Sequence, residues 1–294
     1  MLMKTSALKT IARDTTQVFL LLVAFLLGVT SVSAQSAAKP QASPAANGTA
    51  DVRGRVTQTL VDSSLDDDPA VSKMVAVYAP KVRELDTVLG KLRGELKRGG
   101  TGSGSIGNFV TDGMRWQAAM KSGKPISLAI MNGGGMRRST IGEGELRARD
   151  IFELLPFENA LITVDLTGEQ LKTLLESILA SNEPQSGARI LYRTTPEKKN
   201  LAESIKLRDT TGDHEIDPSR IYTVVTIDYI YNVGSPRFAV LREGTNPKPL
   251  GITLREAIMN YVRAETAAGR DIKPNLDGRF SLDRENSAPE VKPQ

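Results

Sequence analysis

Apolar residues recur at helical spacing after Asp68-Pro69, at Val71, Met74, Val75, Tyr78, Val82 and Leu85. That period predicts a helix with one apolar face and its proline placed early, where a missing N–H does no harm. Pro80 interrupts it. Residues 88–96 read as an extended segment. A glycine-serine loop separates them from a second helix over 105–120, where Ile106, Phe109, Val110, Met114 and Ala118 share one side and Ser105 is its expected cap. Leu128, Ala129, Ile130 and Met131 form a short continuous apolar run, the pattern of a strand buried on both faces. Beyond it the pattern predicts a short helix over 149–155 stopped by Pro156 and a buried strand over 160–166. A helix then opens at Thr167-Gly168-Glu169 and carries Leu171, Leu174, Leu175, Ile178 and Leu179. Strands are expected over 188–192, 204–207 and 222–227, and a last helix over Leu254–Ala267. Helices and strands alternate irregularly and the later strands are hairpin-like. The predicted class is therefore α+β, a mixed α/β domain with mixed sheets and packed helices.

The apolar run at 128–131 leads directly into Asn132, three glycines, Met136 and the pair Arg137-Arg138. Glycines without Cβ atoms let the backbone take positive φ and bring its N–H groups close to a ligand. Arg137 or Arg138 would add a planar, permanent charge suited to a phosphate or carboxylate. The layout is that of an anion pocket, and equally of a glycine-rich turn with solvated arginines.

The chain has 294 residues. Its start reads as a secretory signal peptide over 1–34: Lys4, Lys9 and Arg13 precede an apolar core, and Val32-Ser33-Ala34 ends it with small residues. A flexible leader rich in Ala, Ser and Pro is expected over 35–50, a folded domain over 51–284 and a loose tail over 285–294. The protein is expected to be periplasmic or secreted, and to touch a membrane only if the signal segment stays uncleaved. There is no cysteine, so disulfides and a lipid-modified cysteine are excluded. The net charge is +4, and the signal segment supplies half of it. No basic run with interleaved aromatics occurs, so nucleic-acid binding is not suggested.

Four motifs occur in order along the chain: Val88-Leu89-Gly90, then Ile106-Gly107-Asn108-Phe109-Val110-Thr111-Asp112, then Asn132-Gly133-Gly134-Gly135-Met136-Arg137, then Leu155-Pro156-Phe157 followed by Leu166-Thr167-Gly168. Together they resemble the C-terminal, substrate-binding domain of secreted 5'-nucleotidases and UDP-sugar hydrolases. The resemblance implies that Arg137 faces the phosphate and Asn132 the ribose or phosphate region. It implies that Gly133, Gly134 and Gly135 allow close approach, and that Tyr229 stacks on the base. Asn108, Asp112 and Gly234 would brace that pocket. The family holds its base between two rings, but this chain has Ser181-Asn182-Glu183-Pro184 where the second ring is expected, and Ser235 where an aspartate is expected. An arginine usual before Gly107-Asn108 is replaced within Gly102-Ser103-Gly104. The phosphate side reads as kept and the base side as eroded.

In that family a separate metallophosphoesterase domain holds two metal ions and does the chemistry. Such a centre needs several histidine ligands beside carboxylates. This chain has one histidine, His214, in a polar turn-like stretch. No metal or other cofactor is expected in the chain itself, divalent metals being expected only in a partner phosphoesterase. The expected ligand is a nucleotide or another phosphorylated small molecule. The leading expectation is a substrate-binding subunit of a split nucleotidase, not catalytic alone. The alternatives are a stand-alone binding module and a degenerate domain kept for its fold or for protein contacts. Gly102-Ser103-Gly104-Ser105-Ile106-Gly107 also fits a dinucleotide fingerprint, but no acidic residue follows between Gly113 and Gly142 to hold a ribose. A Ser-His-Asp hydrolase fails because no histidine is placed to serve a serine.

Overall fold

The computed structural model describes residues 54, 55, 57–233 and 235–287. The expected signal segment, the leader, Gly234 and most of the expected tail lie outside the described residues. The chain divides into two units after Leu65, and the elements below belong to the second. Helix α1 (Pro69–Ala76) starts at Asp68, whose carboxylate accepts hydrogen bonds from the N–H groups of Ala70 and Val71. Helix α2 (Ala79–Glu84) follows. The apolar period located these elements, but the face it predicted to be buried is exposed at Val71, Met74, Val75, Tyr78 and Val82.

A five-stranded mixed sheet forms the centre, in the order β12-β6-β11-β3-β7. Its strands are β3 (Leu128–Ile130), β6 (Ala160–Thr167), β7 (Gln185–Ser186), β11 (Ile221–Ile227) and β12 (Thr245–Thr253). Strand β3 runs parallel to β11 and antiparallel to β7, and β6 runs antiparallel to β11 and β12. Leu128, Ala129, Ile130, Val164, Val224 and Val225 have no exposed surface, as the continuous apolar runs required. A second sheet is the meander of β8 (Ala188–Thr194), β9 (Asn200–Asp209) and β10 (Gly212–Glu215), with β13 (Phe280–Leu282) parallel to β8. Two short ribbons pair β1 (Val88–Leu92) with β5 (Gly144–Arg147), and β2 (Leu96–Lys97) with β4 (Thr140–Ile141).

Helix α3 (Gly104–Ser122) packs on the central sheet and against α7 (Leu254–Ala267). The Tyr261 ring sits 6.2 Å from Phe109 and 5.8 Å from Trp116. Helix α3 begins one residue before the expected cap. Its N-cap is Ser103, in the left-handed region with no side-chain cap bond. The Ser105 hydroxyl instead accepts the Lys97 N–H at 2.8 Å. Gly100, Gly102 and Gly104 all have positive φ, and a Cβ on Gly104 would sit 2.6 Å from the Lys97 carbonyl oxygen. The fingerprint-like loop is therefore a tight entry from a two-residue ribbon strand, not the turn of a parallel βαβ unit. Helix α4 (Ala148–Leu154) ends before Pro156, and α5 (Gly168–Ala180) opens with a reciprocal capping box between Thr167 and Gln170. The same box, Thr253 with Glu256, opens α7.

Candidate functional site

Because β3 and β11 are parallel neighbours, their C-terminal ends come out side by side at one edge of the central sheet. Two residues past the end of β3 stands Asn132, and two past the end of β11 stands Tyr229, in the short helix α6 (Asp228–Val233). Strand β6 starts opposite the end of β11, with Leu161 paired to Ile227, so the loop that feeds it closes the third side. That loop carries Phe157 and Asn159. Helix α7 holds it in place: Arg255 donates to the carbonyl oxygens of Leu155 and Pro156 at 3.1 and 2.8 Å, and Leu254 N–H donates to that of Asn159 at 2.8 Å.

The result is a cavity of about 280 Å³ lined by Asn132, Gly134, Gly135, Arg137, Phe157, Asn159 and Tyr229. Five of the six residues expected to contact substrate thus meet around one space. The sixth, Gly133, faces away. The two arginines part company. Arg138 is committed to Asp150 at 3.0 Å and Glu153 at 3.2 Å. Arg137 is exposed and forms no ion pair among the described residues; its guanidinium carbon lies 5.1 Å from the centre of the Phe157 ring, a geometry that steadies a cation without neutralising it. Asn132 Oδ1 is buried with no hydrogen-bond partner among the described residues, an acceptor that a ligand hydroxyl would satisfy. Tyr229 is 51% exposed and Phe157 44%, so two aromatic faces remain open beside the free charge.

The glycine turn differs in detail from the expectation. Gly133–Gly135 form a single 3-10 turn, and none of the three has positive φ. At two of the three it is space that favours glycine: a Cβ would come within 2.7 Å of Ser103 Oγ at Gly133 and 2.7 Å of Met131 Cε at Gly135, while at Gly134 the nearest atom would be 3.8 Å away. Nor are all the N–H groups open. Gly135 N–H donates to the Asn132 carbonyl oxygen at 3.0 Å, and Gly133 N–H donates to the Glu183 carboxylate.

The two residues expected to brace the pocket bond elsewhere. Asn108 Nδ2 donates to the Asn275 carbonyl oxygen at 2.7 Å, and Asp112 receives both ends of the Arg279 guanidinium at 3.0 Å. Arg279 also donates to Asp277 and to the carbonyl oxygen of Gln185 at 2.9 Å. Neither Asn108 nor Asp112 lines the cavity; what they hold is the chain at 275–279 and, through it, β7. The motif that contains Phe157 assigns it no role, and Asn159, Glu183 and Arg279 carry no local signal. His214 lies on the exposed β9–β10 hairpin, with Nε2 2.8 Å from Thr211 Oγ1 and 3.0 Å from Asp209 Oδ1. It is the chain's one histidine, and no group of three or more possible metal ligands occurs among the described residues.

The 5'-nucleotidase C-terminal domain family model matches residues 84–243. The chain belongs to this family. It is 30% identical over 184 residues to the trifunctional nucleotide phosphoesterase protein YfkN of Bacillus subtilis, a match covering 60% of this chain and 12% of that protein. It is 27% identical over 177 residues to an apyrase of Tabanus yao, covering 54% of this chain and 32% of the relative. A 5'-nucleotidase precursor of Thermus thermophilus shares the fold with a TM-score of 0.59 at 24% identity, over 72% of this chain and 43% of the other. The chain thus spans less than half the length of each of these relatives.

Proposed function

We propose that this chain is the nucleotide-binding half of a secreted 5'-nucleotidase-type phosphohydrolase, completed by a separately encoded metallophosphoesterase that docks at the cavity mouth. The observation that carries this reading is the Arg137 guanidinium, laid on Phe157 in one cavity with Tyr229, it and the Asn132 oxygen both without a polar partner among the described residues. A free planar cation in a cavity lined by two aromatic residues suits a nucleoside phosphate, with its anionic group and its planar base. The hydrolysis itself, in which water attacks phosphorus and the ester oxygen leaves with a proton, needs groups that this chain does not supply. Its one histidine leaves the metal ions to the partner, and these would activate the water there. Enclosed sites commonly form where two domains meet. The signal-like start supports export.

The test is a pull-down of the tagged mature chain from its own extracytoplasmic extract, with phosphate release from AMP assayed on the eluate and on the chain alone. Activity in the eluate together with a metallophosphoesterase, and none from the chain alone, is the expected result. Metal-dependent turnover by the pure chain would overturn the split-site reading. An inactive eluate without such a partner would leave a binding module.

A further inference from the structure

We propose that a second anion site lies at the opposite end of β3 from Asn132, where Arg115, Arg189, Arg208 and Arg279 enclose a cavity that takes one small oxyanion, a phosphate or a carboxylate group. The cavity measures about 140 Å³, and Asp112 and Asp277 share its lining with the four arginines. A water's share of liquid volume is about 30 Å³, so an oxyanion with a bridging water fits. It is separate from the cavity at Arg137, since the two share no lining residue and the three residues of β3 alone put about 10 Å between them. Strands β8, β9 and β10 bring Arg189, Arg208 and Asp213 together, and α3 brings Arg115 from the other side.

The charges around this cavity do not balance. Arg279 engages both Asp112 and Asp277. Asp213 serves two arginines at once, Arg208 at 3.0 Å and Arg189 at 3.4 Å. Asp209, in the neighbouring groove, is already bound by Thr211 and His214. Arg115 has no carboxylate partner among the described residues: its Nε donates to the carbonyl oxygen of Ile126 at 2.8 Å and its Nη2 to that of Arg208 at 3.1 Å. Carbonyl oxygens fix a guanidinium in place without offsetting its charge, and burial draws the Arg115 proton affinity below its usual value. One positive charge is left over. Donors are left over as well, for Arg189 Nε is buried with no hydrogen bond among the described residues, and Arg115 Nη1 makes none there. Gly187 holds the space open: its φ is +119°, and a Cβ would stand 2.1 Å from the Ser127 carbonyl oxygen and 3.2 Å from Arg115 Cζ. An oxyanion between Arg115 and Arg189 satisfies the spare donors and cancels the surplus charge together.

Equilibrium dialysis of the purified Arg137→Ala chain against labelled inorganic phosphate, and separately against labelled succinate, tests this without calling on the nucleotide site. Trp116 supplies the location, because it is the chain's single tryptophan and lines the groove that Asp112, Arg115 and Arg208 also line. The expected result is retention of one oxyanion per chain at millimolar concentration, with a saturable change in Trp116 emission. Tighter retention of phosphate would name a phosphate group as the ligand, and tighter retention of succinate a carboxylate. Adding Arg189→Gln, which leaves Asp213 to Arg208, should weaken retention about tenfold, the scale of one charged hydrogen bond. Arg115→Lys keeps the charge, loses the planar fork and should weaken it comparably. Retention of neither oxyanion, or retention that leaves Trp116 emission unmoved, would overturn the inference before any cavity variant is made. Retention unchanged by both Arg189→Gln and Arg115→Lys would overturn it too, and each of these results leaves the reading of the Arg137 cavity standing.

Discussion

Arg137 and Arg279 carry the same guanidinium to opposite ends. Arg279 is 6% exposed and donates to two carboxylates and a carbonyl oxygen. Burial works against its charge, but Asp277 and Asp112 outweigh that and push its proton affinity upward. Arg137 sits in the open on a ring, with no carboxylate in reach among the described residues. A saturated cation holds chain together, while an unsaturated one is available to something that is not chain. The difference lies in partners, since both side chains are arginine.

The strongest way to break this contrast is Arg279→Ala, which would strand Asp112 and Asp277 and let β7 go; a loss of about 3–5 kcal/mol is expected by chemical denaturation. A loss below about 1 kcal/mol would deny Arg279 its structural role. Next comes Arg137→Ala. It should weaken AMP binding by about 1.5–3 kcal/mol yet move stability by no more than about 0.5 kcal/mol, as a surface change does. Equal effects on binding and stability would erase the distinction.

The smallest effect concerns the packing beside Arg279. Burial above all, then the Asp112 and Glu265 charges, push the Tyr261 phenol up from 10.0 to about 12. Its contribution is full below the unfolded value and is lost as pH rises from 10 towards 12, because the unfolded chain ionises first. Tyr261→Phe should flatten that part of the stability profile, measured by denaturation on both sides of pH 10; an unaltered slope would place the alkaline loss elsewhere.

What could be read from sequence was what depends on near neighbours. Helix α7 runs over Leu254–Ala267, where the apolar period placed it, and its Thr253–Glu256 box is local. Arg137 and Tyr229 were legible through their motifs. Glu183 was not: it meets Gly133 from fifty positions away, and only because β7 pairs with β3. The α1–α2 segment shows the complementary failure, since a period names an element without naming what covers it. Strand β12 escaped notice because Pro247 and Pro249 argue against a strand, and only an edge position tolerates them.

That edge has a consequence for the protein in company. A sheet rim with free donors and acceptors is a template on which another chain can add a strand. Here one rim of the central sheet, β7, is two residues long, and the other, β12, lacks N–H groups at two of its nine positions. Neither side offers a continuous ladder, so the central sheet resists growing from molecule to molecule when the protein is crowded.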